Sequence, residues 1–414
     1  MNKKKHGEVF TPINFAEEMI NRLPVNVWSN SLLKWLDPCA GHGIFMELIK
    51  DKLNKGLKNK IKNDKEREKH ILNNMIYQVE INENSFKILK QKFNTKNIIN
   101  YDFLKDDIIK KLNNKFDIII GNPPYNLNGT KTSGRKNVYA LFGMKCLDML
   151  EENGYLLFVH PPGYRKNIKL KGTNLNLNNI YTSYDIKFIK MYNMKNTKKI
   201  FNVIMNVDYF LIKKQKIKNK TEIIDILGNK ELVEIKKDDF IPNFGFNILQ
   251  KLKLLVNEYG NIKIYNTSEL HATNRLSDGT YLKNNEGEYK NIHLIRENDK
   301  LIYKSKKKHT FYDKKKIFIN CLGKNHFFYD NKGEFGATEQ QLLIIEPSQI
   351  YLKFFSSKLF LLIVEATKIT GNNLNRNLDI FLPDFNKNKN LKDNNDIYRL
   401  LKLKKNDIRF INSF

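Results

Sequence analysis

The chain has 414 residues, 41% of them hydrophobic, enough to bury two cores of ordinary size. Its 72 Lys and Arg against 44 Asp and Glu leave a formal charge of +28, which a polyanionic partner, nucleic acid foremost, would neutralise. The plainer account of that charge is a codon bias that fills solvated faces with Lys.

No run approaches the roughly 18 to 20 uninterrupted apolar residues of a membrane-spanning helix, and Met1-Asn2-Lys3-Lys4-Lys5 leads into Gly and Glu rather than an apolar signal core. A cytoplasmic or DNA-associated location is the expectation. Cys39, Cys146 and Cys321 stand far apart, without the paired spacing of a metal site or an even-numbered disulfide framework. They read as reduced and structural, and no metal is expected.

From about residue 34 to 160, short β-rich runs alternate with longer charged stretches. Leu33 to Leu36, Met75 to Val79, Asn97 to Ile99, Phe116 to Ile120 and Tyr155 to Val159 read as strands. That rhythm predicts βαβ units, an α/β class and a mostly parallel sheet. Ile49 to His70 is Lys-rich and helix-compatible, with no chemistry assigned. After the strand-like run Val203 to Ile212, the segment Lys213 to Lys220 has linker composition and marks a boundary between domains 1–215 and 221–414. The second half carries short strands, turns at Asp278-Gly279 and Lys332-Gly333, the cluster Phe327-Phe328-Tyr329, and basic runs at Lys306 to Lys308 and Lys314 to Lys316.

The chemistry concentrates at strand ends. Leu36-Asp37-Pro38-Cys39-Ala40-Gly41-His42-Gly43 follows a strand and opens a helix, so its glycines permit a tight turn against a ligand. By itself a GxG turn is as often simple strand-to-helix packing. The next strand ends at Glu80-Ile81, where a carboxylate can accept both hydroxyls of a ribose. A third ends at Asp102-Phe103, an acceptor beside a ring, and together the three strand ends point at one nucleoside. The fourth delivers Asn122-Pro123-Pro124-Tyr125. Its two prolines lack N–H groups and stiffen the loop, leaving the Asn122 side-chain oxygen and the Pro123 carbonyl as paired acceptors for an exocyclic amine. Tyr125 adds a face for stacking a planar base.

Over residues 7 to about 212 these motifs resemble the gamma-class N6-adenine DNA methyltransferases of restriction-modification type. Gly7-Glu8-Val9-Phe10-Thr11-Pro12 is similar to that family's N-terminal motif. By this resemblance Phe10, Thr11 and Pro12 lie over the methionine part of S-adenosylmethionine. Asp37, Ala40, Gly41 and Gly43 form the cofactor loop, with His42 where a small or polar residue is common. Glu80 takes the ribose, Ile81 is its neighbour, and Asp102 and Phe103 take the adenine. The stretch Gly154 to Pro162 resembles the strand after the catalytic helix. Lys198-Lys199-Ile200-Phe201-Asn202-Val203 resembles the stretch whose aromatic residue stacks on an extruded base, which makes Phe201 the candidate beside Asn122, Pro123, Pro124 and Tyr125.

The implied fold is a Rossmann-like S-adenosylmethionine-dependent domain with a mostly parallel seven-stranded sheet, followed by a mixed α+β target-recognition domain. The implied reaction is methyl transfer to the N6 amino group of a flipped-out adenine in duplex DNA. RNA or a protein glutamine is the alternative acceptor, because methyltransferases of those substrates resemble the same tetrapeptide. About 200 further basic, aromatic-rich residues favour DNA. Arg275, Arg296, Lys304 and Lys306 to Lys308 are candidate nucleic-acid contacts, and Gly371 to Asn377 a candidate recognition loop. A stand-alone monomeric modification enzyme is expected, with any endonuclease on another chain.

Overall fold

Short, largely buried strands organise the first half. In the computed structural model, which describes residues 11–125, 137–170, 173–266, 269–270, 287–321, 326–369 and 378–414, the run begins with α1 (Ile13–Ile20), β1 (Trp35–Asp37), α2 (Ile44–Gly56), α3 (Asp64–His70), β2 (Ile76–Glu80), α4 (Glu83–Phe93), β3 (Ile98–Asn100) and α5 (Ile108–Leu112). It continues with β4 (Phe116–Gly121), α6 (Val138–Met149), β5 (Leu150–His160), α7 (Leu177–Tyr181), β6 (Asp185–Tyr192), α8 (Met194–Phe201), β7 (Val207–Lys213), β8 (Thr221–Ile224) and β9 (Lys230–Val233). β1 is buried at every position and β4 at all but Asp117, as strands covered by helices on both faces must be.

These strands form one sheet in the order β3-β2-β1-β4-β5-β7-β6-β8-β9. The first five run parallel. β7 inserts antiparallel between β5 and β6, pairing Phe210 with Phe158 on one side and Ile189 on the other. Among the described residues the sheet therefore has nine strands where seven were expected. The two extra ones, β8 and β9, form a hairpin on β6, its turn held by the Asp225 carboxylate, which accepts the N–H groups of Leu227 and Asn229 at 2.8 and 2.9 Å. Because that hairpin belongs to the sheet, the chain divides at residues 241 and 242, beyond the Lys213–Lys220 segment where composition placed the boundary.

Residues 242–414 carry α9 (Phe246–Tyr259), β10 (Tyr265–Asn266), β11 (Tyr289–Ile295), β12 (Lys300–Ser305), β13 (Lys316–Asn320), β14 (Phe327–Asp330), β15 (Gly336–Ala337), β16 (Gln341–Ile345), α10 (Gln349–Phe355), α11 (Lys358–Thr367), α12 (Asn394–Leu400) and α13 (Lys405–Asn412). The strands form two sheets, β10-β16-β13-β14 and β12-β11-β15. Buried amides join them. Asn320 accepts the Ile295 N–H at 2.9 Å and donates to the Ile295 carbonyl at 2.7 Å, while Gln341 donates to the His293 carbonyl and to Asn320 Oδ1, both at 2.8 Å. Ile292, Ile295, Phe318, Ala337 and Leu343 pack as one apolar cluster beside them. No helix among the described residues is long and apolar enough to cross a membrane.

One buried ion pair braces the first unit. The Arg165 guanidinium, 1% exposed, donates from Nε to Asp208 Oδ2 at 2.6 Å and from a terminal nitrogen to Oδ1, while Asp208 is fully buried on β7. Removing one member leaves the other charge buried without its partner, a loss of about 3 to 5 kcal/mol. Arg165→Met should lower stability by that amount in urea unfolding, and adding Asp208→Leu should recover most of it. A double variant no more stable than the single one would show that the pair does more than cancel its own burial.

Candidate active site

The sheet order reverses between β1 and β4, with β2 and β3 on one side and β4 and β5 on the other. In open α/β sheets ligands bind outside the carboxyl ends of strands at such a reversal. Trp35 pairs with Ile118 and Leu36 with Ile119, so the loop after Asp37 and the loop after Gly121 leave from adjacent strand ends. Gly121 keeps them close: a Cβ there would lie 3.3 Å from Cys39 Sγ, 3.4 Å from Pro38 Cδ and 3.5 Å from Asp37 Oδ1.

Asp37 is 1% exposed and its Oδ1 accepts the Cys39 N–H at 3.1 Å. Burial, with the Glu80 charge adding to it, raises its carboxyl from 3.8 to about 7. This residue braces the turn from inside, a different place from the ligand contact expected of it. Ala40 donates its N–H to the Val79 carbonyl at 3.0 Å, and Gly43 donates to the Ala40 carbonyl at 2.8 Å. Gly41 and Gly43 adopt φ of +54° and +83°, left-handed values that cost a side-chain residue free energy. Among the described residues, a Cβ on Gly41 would meet nothing within 4 Å, so none of them covers that part of the loop. Cys39 is half-buried, and desolvation raises its thiol above the ordinary range, which suits packing and not nucleophilic attack.

Glu80 closes the turn from β2. Its Oε2 accepts the Gly41 N–H and its Oε1 the Asn82 N–H, both at 2.7 Å. Asn82 meanwhile caps α4, its side chain accepting the Asn84 and Ser85 N–H groups at 2.9 and 3.3 Å. A carboxylate oxygen accepts more than one hydrogen bond, so these contacts orient Glu80 without exhausting it. Ile81 beside it is 50% exposed. At the end of β3, Asp102 accepts the Leu104 N–H at 2.9 Å. Phe103 is 2% exposed and stacked on Phe142 of α6, with centroids 5.2 Å apart and planes at 23°. It is a wall of the core behind Asp102, since one of its faces is already covered.

At the end of β4, Asn122 donates from Nδ2 to Thr11 Oγ1 at 3.2 Å. That bond joins two motifs 111 residues apart and ties the carboxamide to the residue before Pro12, at the start of α1. Pro12 follows Thr11 and starts α1, its carbonyl accepting the Phe15 and Ala16 N–H groups. Phe10 lies outside the described residues. Pro123 is buried and Pro124 half-buried behind Asn122. Tyr125 is 7% exposed, and its hydroxyl meets no hydrogen-bond partner among the described residues. Phe201, the last residue of α8, is 8% exposed with its ring edge-on to Phe15 at 4.7 Å and 75°. It sits in an aromatic cluster with Phe15, Tyr192 and Tyr209, which gives it a packing position and not an open stacking face.

Of the basic candidates in the second unit, Arg296 is exposed and 3.9 Å from Asp299. Lys307 lies 3.5 Å from Glu269, and Lys308 pairs with Asp313. Lys304 and Lys306 are also on the described part of the chain, one on β12 and one just after it. Arg275 and the Gly371–Asn377 loop lie outside the described residues. Lys316 departs from the expected basic run, being fully buried with Nζ 3.0 Å from Asp330.

The glycine turn, the acidic strand end and the Asn-Pro-Pro-Tyr strand end thus meet at one reversal of an α/β sheet. Residues 19–201 match the family described as Eco57I restriction-modification methylase. An uncharacterized adenine-specific methylase of Mycoplasma pneumoniae is 25% identical over 266 residues, 45% of this chain and 62% of that protein. Modification methylase CviBIII of Paramecium bursaria Chlorella virus NC1A is 34% identical over 91 residues, 20% of this chain and 23% of its own. The chain thus spans less than two thirds of the length of either relative. Among solved structures, the type IIL restriction-modification enzyme MmeI superposes with a TM-score of 0.55 at 11% identity, covering 93% of this chain and 68% of that one. The resemblance to restriction-modification adenine methylases read from the motifs is borne out.

Sequence reasoning missed Asn82, whose side chain caps a helix while its N–H steadies Glu80, and Gln78, buried two residues before Glu80 on β2. A polar residue inside Ile76-Tyr77-Gln78-Val79 was the available signal.

The raised Asp37 carboxyl makes a stability prediction. A group whose folded value exceeds its unfolded one stabilises fully below the unfolded value, here 3.8, and loses that contribution as pH rises through the folded value of about 7. Asp37→Asn keeps the acceptor for Cys39 and removes the titration. Its stability relative to the wild type should therefore rise between pH 4 and 8, by at most about 4 kcal/mol, in denaturant unfolding. A constant gap across that range would mean Asp37 titrates normally.

Proposed function

We propose that this chain is a site-specific, S-adenosylmethionine-dependent DNA methyltransferase that modifies the N6 amino group of adenine, the modification component of a restriction-modification-like system. The observation that carries the reading is the Asn122 carboxamide, oriented by Thr11 at the end of β4, beside the glycine turn held by Glu80.

The residues suit the cofactor on their own chemistry. Open space over Gly41 admits a ligand against backbone, the Glu80 carboxylate suits ribose hydroxyls, and half-exposed Ile81 offers an apolar face to adenine. Asp102 is positioned to accept from the adenine amino group, while Thr11 and Pro12 flank the methionine end. Bound there, S-adenosylmethionine would supply an electrophilic methyl group.

The chain's own part is to hold the acceptor. Adenine's amino group is unreachable within the stack, so the base is extruded and laid on Tyr125. Phe201 opposes it only if its ring leaves Phe15. The Asn122 oxygen and the Pro123 carbonyl accept the two amino hydrogens, which withdraws them from conjugation with the ring and raises electron density on nitrogen. The nitrogen lone pair would take the methyl group as its bond to sulfur breaks, leaving S-adenosylhomocysteine, and the surplus proton departs toward those acceptors or water. Rate enhancement comes from positioning and preorganised acceptors, with no strong base required. Double-stranded DNA is the partner, with phosphate contacts from Lys and Arg of the second unit, and a separate endonuclease is the expected companion of a monomeric enzyme.

Purified protein incubated with unmethylated plasmid and methyl-labelled S-adenosylmethionine should yield N6-methyladenine at one short motif by nucleoside mass spectrometry and position mapping. Label in RNA or a protein glutamine, with none in DNA, would replace the substrate. Asn122→Ala should lower methylation by about 100- to 1,000-fold while cofactor affinity by calorimetry stays within a few-fold. Loss of cofactor binding in that variant would contradict the role given to Asn122.

A further inference from the structure

The side chain of Gln78 is fully buried, and neither its oxygen nor its nitrogen meets a hydrogen-bond partner among the described residues. Burying both ends of a carboxamide unpaired is costly, and native structures rarely keep such a group without a use. Methionine or leucine would fill the same space without that cost.

Its placement indicates the use. Side chains alternate along a strand, so Gln78 shares a face of β2 with Glu80, whose carboxylate holds the Gly41 N–H. The Gln78 oxygen lies 3.3 Å from the position a Cβ on Gly43 would take, while Leu89 and Phe93 of α4 approach that position to 2.7 Å. Gly43 is the residue at which the turn becomes α2, a 13-residue helix whose start has no side-chain cap. The first N–H groups of a helix have no partner within it. A buried acceptor thus lies directly beneath a glycine turn and an uncapped helix start.

We propose that Gln78 is a positioning residue for the cofactor loop: when S-adenosylmethionine binds, its side-chain oxygen accepts the Ile44 backbone N–H at the start of α2 and holds the loop in its binding conformation. This rests on the cofactor assigned above. The polarity of Gln78 is then used in the loaded enzyme and is a burden in the free one. Removing it should separate affinity from stability, which a core packing role would not do.

The test is Gln78→Met, close in length and apolar, with Gln78→Leu as second variant. Binding of S-adenosylmethionine is measured by calorimetry, KM and kcat by methyl transfer to plasmid DNA, and thermal unfolding on ligand-free protein. Dissociation constant and KM for the cofactor should rise about tenfold, the effect of one lost hydrogen bond. The value of kcat and the KM for DNA should hold, and the ligand-free midpoint should stay equal or rise. Unchanged cofactor affinity in both variants, or a fall in stability that accompanies the fall in affinity, would overturn the assignment and leave Gln78 a packing residue. A wild-type chain that binds no S-adenosylmethionine would overturn the functional reading and this inference together.

Discussion

Parallel pairing of β1 with β4 is the constraint on which the site depends. Strands whose paired residues, Trp35 with Ile118 and Leu36 with Ile119, are 83 apart in sequence run side by side in the same direction, so their carboxyl ends emerge together, and one carries the glycine turn and the other Asn122. The pairing is close enough that a Cβ at Gly121 would press on Cys39 Sγ at 3.3 Å. β2 and β3 lie on one side of this seam and β4 to β5 on the other, which is why the acidic residues at the ends of β2 and β3 reach the same place from the opposite direction to the Asn-Pro-Pro-Tyr loop.

Backbone amides hold that place together more than side-chain pairs do. Glu80 receives two of them, Asp37 one and Asp102 one. Fixed acceptors of this kind need little rearrangement when a ligand arrives, which is the physical content of preorganisation. It carries a cost: Asp37 is buried next to another carboxylate and titrates near 7. His160, at the end of β5, is buried among Tyr139, Tyr164, Tyr181 and Phe210, and burial lowers it to about 4, so it is neutral where Asp37 is changing charge. Their contributions to stability run in opposite directions with pH.

In the second unit, charge and structure are partly the same residues. Lys316 was one Lys in a basic run by sequence, yet it lies in a closed strand position and reaches Asp330, whose carboxylate also accepts the Gly333, Glu334 and Phe335 N–H groups. It stitches a turn and is unavailable to a polyanion. Lys307 and Lys308 already face Glu269 and Asp313, pairs that reach solvent through the lysines and are screened there by water and salt.

Local pattern determined much of the first unit. Phe116 to Ile120 is β4 within a residue, and the strands at 76, 98 and 155 were foreseen because short β-rich runs between Gly, Asn and Pro read as buried strands. The motif residues were legible for the same reason, since Gly41, Gly43 and the Pro-Pro pair are residue types that a turn of this shape requires. β6 was not foreseen, because Lys187 and Lys190 interrupt its apolar pattern and their place in the sheet depends on a neighbour, β7, that follows it in sequence. The β8–β9 hairpin was lost behind a Lys-rich segment that reads as a linker, and only the sheet edge on β6 makes it part of the first unit. Burial decided the rest. Nothing local says that Phe201 packs on Phe15, that Phe103 is covered by Phe142, or that Asp37 points inward, because each depends on which distant side chain arrives at the same place when the sheet forms.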